Sequence, residues 1–351
     1  MARAGRGAVA AFAAGLLWRC AADGVAPIRL VSIGDLHGDF DHAMAMLRAA
    51  GLAEAAEDDT VDGDPPYARY RGVRWTGGNA TLVQTGDLVD RGTFARDLYA
   101  LFQELRRQAP LSGGRVINLL GNHELMMLMH DLRYVSKADY KNFGGAEKRR
   151  EAFEPDGAIG KQLLGEFQAA ALVGDTVLVH AGLLPEDAAK GIDALNERAR
   201  KTLETVARHG RYGGQSREDG KLLGATGPFW VRRLADKAEH SVCPILEETL
   251  HLVGARRMVV GHTQVEEGRV RPRCGGRLLM ADTIISQDGY PMCWRGDASD
   301  GCVGSMSFVE VRGSEAFAKL VEPDGEGWRV AQETPLPTPP APGPAESRLE
   351  M

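Results

Sequence analysis

Three apolar runs of this chain end alike: each stops at a glycine followed at once by an aspartate or asparagine. Ile28 to Ile33 (IRLVSI) runs into Gly34-Asp35, TLVQT, ending at Thr85, into Gly86-Asp87, and Val116 to Leu120 into Gly121-Asn122. Short, continuous, partly β-branched apolar runs read as strands buried on both faces. After the first run, Phe40, Ala43, Met44 and Leu47 recur at helical spacing, with Asp39 or Asp41 available as N-cap. Before the third, Leu98, Leu101, Phe102 and Leu105 do the same. Strand, helix, strand, helix, strand is the order of a parallel sheet built from right-handed βαβ units. Ligands of such sheets gather at the carboxyl ends of the strands, so the polar residues after the three glycines are expected along one edge.

The rest of the chain supplies more strands. Thr176 to Val179 and Arg257 to Val260 are apolar runs ending at His180 and at Gly261-His262. Leu278 to Ala281, Ser307 to Val311 and Ala316 to Val321 are expected to close a second sheet. Tyr70 to Thr85 reads as a hairpin turning at Gly77-Gly78-Asn79, after an acidic loop over 53–64. A charged, mostly helical insertion is expected over about 186–250, covering or flanking the edge where the histidines emerge. One domain over 27–325 would then be followed by a Pro-rich disordered tail over 326–351.

With 44% hydrophobic and 26% charged residues in 351, the chain can bury an ordinary core. Its 42 basic residues face 48 acidic ones and 6% are aromatic, which offers nucleic acid neither a basic field nor a stacking platform. No run reaches the roughly 20 apolar residues of a membrane span. At the start, Arg3 and Arg6 precede the apolar run Ala8 to Trp18, no acid occurs before Asp23, and small residues follow at Cys20, Ala21 and Ala22. Residues 1–26 are therefore expected to be a signal or transit peptide, in preference to an Ala-rich amphipathic helix. The expected location is the secretory pathway or an organelle rather than the cytoplasm. Without Cys20, four cysteines remain: Cys243, Cys274, Cys293 and Cys302. They suit either disulfides, with Cys293–Cys302 closing a short loop, or reduced thiols. The oligomeric state is left open.

Five short motifs occur in order, each after an apolar strand. They are Gly34-Asp35-Leu36-His37-Gly38, Gly86-Asp87-Leu88-Val89-Asp90-Arg91-Gly92, Gly121-Asn122-His123-Glu124, His180-Ala181-Gly182 and Gly261-His262-Thr263. Singly, each has a bland explanation: a strand-end histidine satisfied by a carbonyl, or an aspartate capping the next helix. As an ordered set they resemble the phosphoprotein phosphatase family within the calcineurin-like metallophosphoesterases. The run Gly121 to Val135 (GNHELMMLMHDLRYV) and Gly227-Pro228-Phe229-Trp230-Val231-Arg232 resemble, more narrowly, the Shewanella-like protein phosphatases. The resemblance spans about residues 28–320.

That resemblance implies an α/β fold of two packed mixed β-sheets flanked by helices. It also implies two metal ions held by Asp35, His37, Asp87, Asn122, His180 and His262. Oxygen donors mixed with imidazoles suit Mn, Fe or Zn rather than Ca. Asp35 and His37, two apart at a strand end, can point to one ion; Asp87 is carried over as the bridge to both, and Asn122, His180 and His262 complete the second set. His123 is carried over as the general acid that protonates the leaving alkoxide, and Asp90 as the carboxylate that holds its imidazole. Arg91 and Asn122 are expected to bind the phosphate, with Arg232 as a second clamp unless Arg232 and Arg233 are a solvated pair. Glu124 is expected to support the site rather than react. His42, His130, His209, His240 and His251 have no motif partner and are assigned to surface or packing. One departure stands out. Where the eukaryotic phosphatases carry Ser-Ala-Pro-Asn-Tyr, this chain has Ala281-Asp282-Thr283-Ile284, and Asp282 is left outside the site.

The expected reaction is hydrolysis of a phosphomonoester by metal-activated water. The expected substrate is phosphoserine or phosphothreonine on a protein, with phosphotyrosine as a variant. One rival keeps the metals and takes a dinucleoside polyphosphate or another small phosphoester. The other is a catalytically silent binding protein of the same fold, against which the full set of candidate ligands and His123 argue.

Overall fold

The structure, a computed structural model, describes residues 28–55, 70, 72–210, 216–295, 301–325 and 327–341; the expected leader over 1–26 lies outside them. Strands β1 (Arg29–Ile33), β2 (Ala53–Glu54), β3 (Arg74–Trp75), β4 (Thr81–Gln84) and β5 (Arg115–Asn118) accompany helices α1 (Phe40–Ala49), capped by Asp39, and α2 (Ala95–Gln108). Helix α3 (Asn122–Leu128) follows at once. As the apolar runs require, β1, β4 and β5 are parallel neighbours. The strands β6 (Ala170–Val173), β7 (Thr176–Val179), β8 (Arg257–Val260), β9 (Arg271–Arg273) and β10 (Leu278–Met280) form a second sheet, ordered β6-β7-β8-β10-β9. In it β7, β8 and β10 are parallel.

The two-residue period of a strand divides these side chains between two cores. Leu30, Val83 and Ile117 of the first sheet meet Leu178, Val259 and Leu279 of the second in one cluster between the sheets. Their neighbours Val31, Ile33, Leu82 and Val116, with Val177, Val179, Met258 and Met280, belong to the larger cluster that includes the helices. Each fully buried aliphatic side chain contributes ~1.5–3 kcal/mol, and strands covered on both faces need no alternation in sequence.

Three expectations fail, all at non-local pairings. First, β3 and β4 are not a hairpin: Trp75 pairs with Ala53 of β2, whereas β4 lies between β1 and β5. The turn at Gly77-Gly78 passes the chain from one sheet to another. Second, the runs assigned to the second sheet after Leu278 divide. The strands β11 (Met306–Arg312) and β12 (Glu315–Asp324) extend the first sheet instead, β11 pairing antiparallel with β1. Third, the boundary at 325 falls inside a hairpin, because β13 (Gly327–Pro335) pairs with β12 and Leu336 is buried. The side chains of β13 are mostly exposed, so backbone hydrogen bonds rather than an apolar pattern hold it.

The insertion is helical, its longest members being Ile192–His209 and Glu239–Val253. Cys243 is bonded to Cys274 and Cys293 to Cys302, with Cα separations of 5.5 and 5.1 Å. Among the described residues no helix is long and apolar enough to cross a membrane.

Candidate active site

Each of the six parallel strands among the described residues delivers a buried polar residue just past its carboxyl end. These are Asp35 after β1, Asp87 after β4, Asn122 after β5, His180 after β7, His262 after β8 and Asp282 after β10. Their convergence leaves no room for side chains on the turns. A Cβ on Gly86, whose φ is 97°, would lie 2.5 Å from the Gly121 nitrogen and 2.9 Å from His180 Nδ1. His37 (φ 40°), Asp87 (57°), Asp90 (71°), Arg91 (66°) and His262 (63°) also occupy the left-handed region. Backbone strain of this kind, about 1–3 kcal/mol per residue, persists where the surrounding packing enforces it and concentrates at functional sites.

Asp87 is the centre of the arrangement. Its Oδ2 lies 3.5 Å from His180 Nε2, 3.7 Å from His37 Nε2 and 3.9 Å from His123 Nε2. Two groups of ligand-type atoms share it, His37 with His123 and His180 with His262, all atoms of a group lying within 4.8 Å of one another. Asp35 stands beside these groups rather than within them. Its Oδ2 accepts the His262 backbone N–H at 3.0 Å, and its Oδ1 is buried without a hydrogen-bond partner among the described residues.

The donors fit divalent cations. A carbonyl oxygen only accepts, so the His37 Nδ1 3.0 Å from Val89 O and the His180 Nδ1 2.8 Å from Thr85 O must carry protons. Burial is the main cause that keeps these imidazoles neutral, depressing His37 to about 3, His262 to about 2, and His180 below its ordinary value. Their Nε2 lone pairs therefore face acceptors: Asp87 Oδ2 for both, and for His180 also Asn122 Oδ1 at 2.9 Å. Acceptors turned on one another call for positive charge among them, and imidazoles anchored through Nδ1–H to carbonyls are in the ligand tautomer. Burial likewise pushes Asp35 well above the carboxylate range, helped by Asp282 and Asp87, and lifts Asp282 to about 6.

His123, a buried member of the first group, has its Nδ1 2.7 Å from Asp90 Oδ2. Burial alone would lower its pKa, but Asp87 and the Asp90 hydrogen bond outweigh burial and raise it. Arg91 projects between the rings of Tyr134 and Tyr290, 4.7 and 4.9 Å from their centroids. Arg232 and Arg233 are both exposed, but Arg232 donates through Nη1 to His262 O at 3.0 Å and Thr263 Oγ1 at 3.2 Å, beside the second group, while Arg233 starts the short helix Arg233–Asp236. The insertion flanks the site here: Pro228 O accepts from Ala181 N at 3.0 Å, and the Trp230 ring lies 5.9 Å from that of His262. Glu124 accepts four hydrogen bonds behind Asp87. His42 is buried with Nδ1 2.7 Å from Ile285 O; His130, His209, His240 and His251 are exposed.

The structure thus brings all six expected ligands, His123, Asp90, Arg91 and Arg232 to one edge, and adds residues that sequence reasoning missed. Asp282 belongs there, two residues past a parallel strand as Asp35 is, a repetition that could have revealed it. Tyr134, Tyr290 and the buried Arg149 carry no such signal.

The calcineurin-like phosphoesterase family model matches residues 28–264. An uncharacterised protein of Schizosaccharomyces pombe is 36% identical over 261 residues, 73% of each chain. Shewanella-like protein phosphatase 2 of Arabidopsis thaliana is 29% identical over 312 residues, covering 76% of this chain and 74% of that one. The cold-active protein-tyrosine phosphatase of a psychrophilic Shewanella superposes with a TM-score of 0.62 at 22% identity, over 84% of this chain and 78% of that one, a likeness of fold. With its motifs gathered at one sheet edge and these relatives beside it, the chain belongs to the calcineurin-like phosphoesterase family, resembles the Shewanella-like protein phosphatases within it, and is a metal-dependent phosphatase.

Proposed function

We propose that the protein removes phosphate from phosphoserine or phosphothreonine in proteins, using two metal ions that share Asp87. The observation that carries this reading is the position of Asp87, common to both groups of ligand-type atoms. Asp35, His37 and Asp87 would hold one ion and Asp87, Asn122, His180 and His262 the other, with Mn, Fe or Zn as the metals that suit these donors. Such ions supply a water of lowered pKa and neutralise charge on the phosphate.

The chain's own residues do the rest. Arg91, clamped between two aromatic rings with its Nε free of hydrogen bonds, orients the phosphate together with Asn122, and Arg232 approaches from the His262 side. His123 gives the proton on Nε2 to the leaving alkoxide, while Asp90 holds Nδ1 and steadies the imidazolium before transfer. The exposed apolar side chains Leu132 and Met292, close in sequence to the clamping Tyr134 and Tyr290, suit a peptide better than a polyphosphate chain. The relatives named as protein phosphatases support that choice, and the Shewanella enzyme named as a protein-tyrosine phosphatase makes phosphotyrosine the second reading.

Turnover of the Mn-loaded protein on phosphoserine, phosphothreonine and phosphotyrosine peptides and on a dinucleoside polyphosphate tests this. Peptide cleavage in preference to the polyphosphate is expected. The opposite preference would move the function to small phosphoesters, and no turnover even of p-nitrophenyl phosphate would leave a silent binding protein.

A further inference from the structure

Asp90 has two carboxylate oxygens, and His123 occupies only one of them. The other, Oδ1, is buried without a hydrogen-bond donor among the described residues, and 3.5 Å from it lies Nη2 of Arg149, also buried and also without a hydrogen-bond partner among them. Arg149, on the helix Ala146–Phe153, is 2% exposed. It is fixed from every other side. Its Nε donates to Asp139 Oδ2 at 2.8 Å, its Nη1 lies 3.2 Å from Met127 Sδ, and its guanidinium sits 4.8 Å from the Phe153 ring centre and 5.5 Å from that of Phe143. A charge so placed is costly, and apolar residues of the same volume would generally stabilise a core at least as well as a buried ion pair. Stability therefore does not account for an arginine whose remaining N–H group faces the carboxylate behind His123.

We propose that Arg149 is a positioning residue for proton delivery: it holds Asp90 so that Oδ2 stays on His123 Nδ1 and His123 Nε2 stays turned to the leaving group. The inference rests on the reading of His123 as the acid. Asp90 has a left-handed backbone, φ 71°, and among the described residues no other side chain on Oδ1, so without Arg149 its carboxylate is free to rotate off the imidazole. The proton that leaves is the one on His123 Nε2; it passes to the alkoxide oxygen as the P–O bond breaks, leaving neutral His123 and an unchanged carboxylate at Asp90.

The test is the dependence on the leaving group. A nitrophenolate departs without a proton, whereas the alkoxide of phosphoserine needs one. Arg149→Met keeps an unbranched apolar stem and removes the charge and the donors. For a phosphoserine peptide kcat is expected to fall about 10–100-fold with KM within about twofold, for p-nitrophenyl phosphate kcat is expected to fall less than about threefold, and Arg149→Lys is expected to recover part of the peptide loss. Equal losses on both substrates, or none, would overturn the assignment. Should Arg149→Met not fold, Asp139→Asn loosens the anchor of Arg149 and leaves it in place; it must show the same selectivity in smaller degree, and equal loss or no loss again overturns the assignment. Wild-type protein that cleaves neither substrate overturns the acid role and this inference together, whereas wild-type turnover of both with a variant indifferent to the leaving group overturns this inference alone.

Discussion

Glu124 grips Asp87 from behind: its Oε2 accepts the Asp87 backbone N–H at 2.8 Å. The same carboxylate accepts from Gly121 N (2.8 Å), Leu88 N (2.9 Å) and the Tyr99 hydroxyl (2.9 Å). Four donors on one buried group fix the strained turn that carries the residue shared by both ligand groups. A glutamine has one acceptor oxygen, and its NH₂ would be turned against N–H or O–H donors. Glu124→Gln is therefore expected to cost about 2–3 kcal/mol of stability. Thermal unfolding with and without added metal checks this, and an unchanged midpoint would show that the turn does not depend on the carboxylate.

Replacing the acid separates chemistry from metal binding. His123→Asn is expected to keep its metal and lose turnover of alkyl phosphates roughly 10²–10⁴-fold. Metal content and kcat measured on the same preparation decide it. Full turnover at neutral pH would mean that another group protonates the leaving oxygen.

The aromatic clamp on Arg91 concerns binding. Tyr134→Leu removes one of the two rings on the guanidinium, an interaction worth about 0.5–2 kcal/mol. KM for a phosphopeptide is expected to rise several-fold with kcat little changed. A fall in kcat alone would place Tyr134 in the chemical step through its contact with His123, whose ring centre is 5.2 Å away.

Acid stability is expected to depend on Glu310, which lies outside both groups of ligand-type atoms around Asp87. Burial tends to raise the pKa of Glu310, but hydrogen bonds from Arg29 and Lys319 outweigh it and hold the carboxyl at about 2. A carboxyl depressed in the fold stabilises above its unfolded value, near 4.5, and that stabilisation disappears as pH falls through about 2. Glu310→Gln should lower stability at neutral pH by on the order of 2 kcal/mol and flatten the loss between those two pH values. Denaturant titrations across that range measure it; parallel curves for the two proteins would rule out the linkage.

What could be read in the sequence was what is local. The strands β7 and β8 have the limits their apolar runs suggest, and the candidate ligands were found because each lies within four residues of a strand end. Pairings between distant segments left no such mark. A double-glycine turn between two β-like runs suggests a hairpin, and nothing near Trp75 indicates that Ala53 is its partner. β13 escaped because a strand held by its backbone needs no apolar alternation. Arg149 and Tyr290 reach the site from segments whose own sequence suits an ordinary helix and loop, and only the packing of the whole domain reveals their aim.

A calorimetric titration of metal-free protein with Mn²⁺, run beside a phosphatase assay, bears most directly on the shared role of Asp87. The wild type should take up two ions per chain, with activity appearing as the second is bound, and Asp87→Asn should lose metal uptake and turnover together. Full activity with no more than one bound ion, or an Asp87→Asn variant that still binds two and turns over, would contradict it.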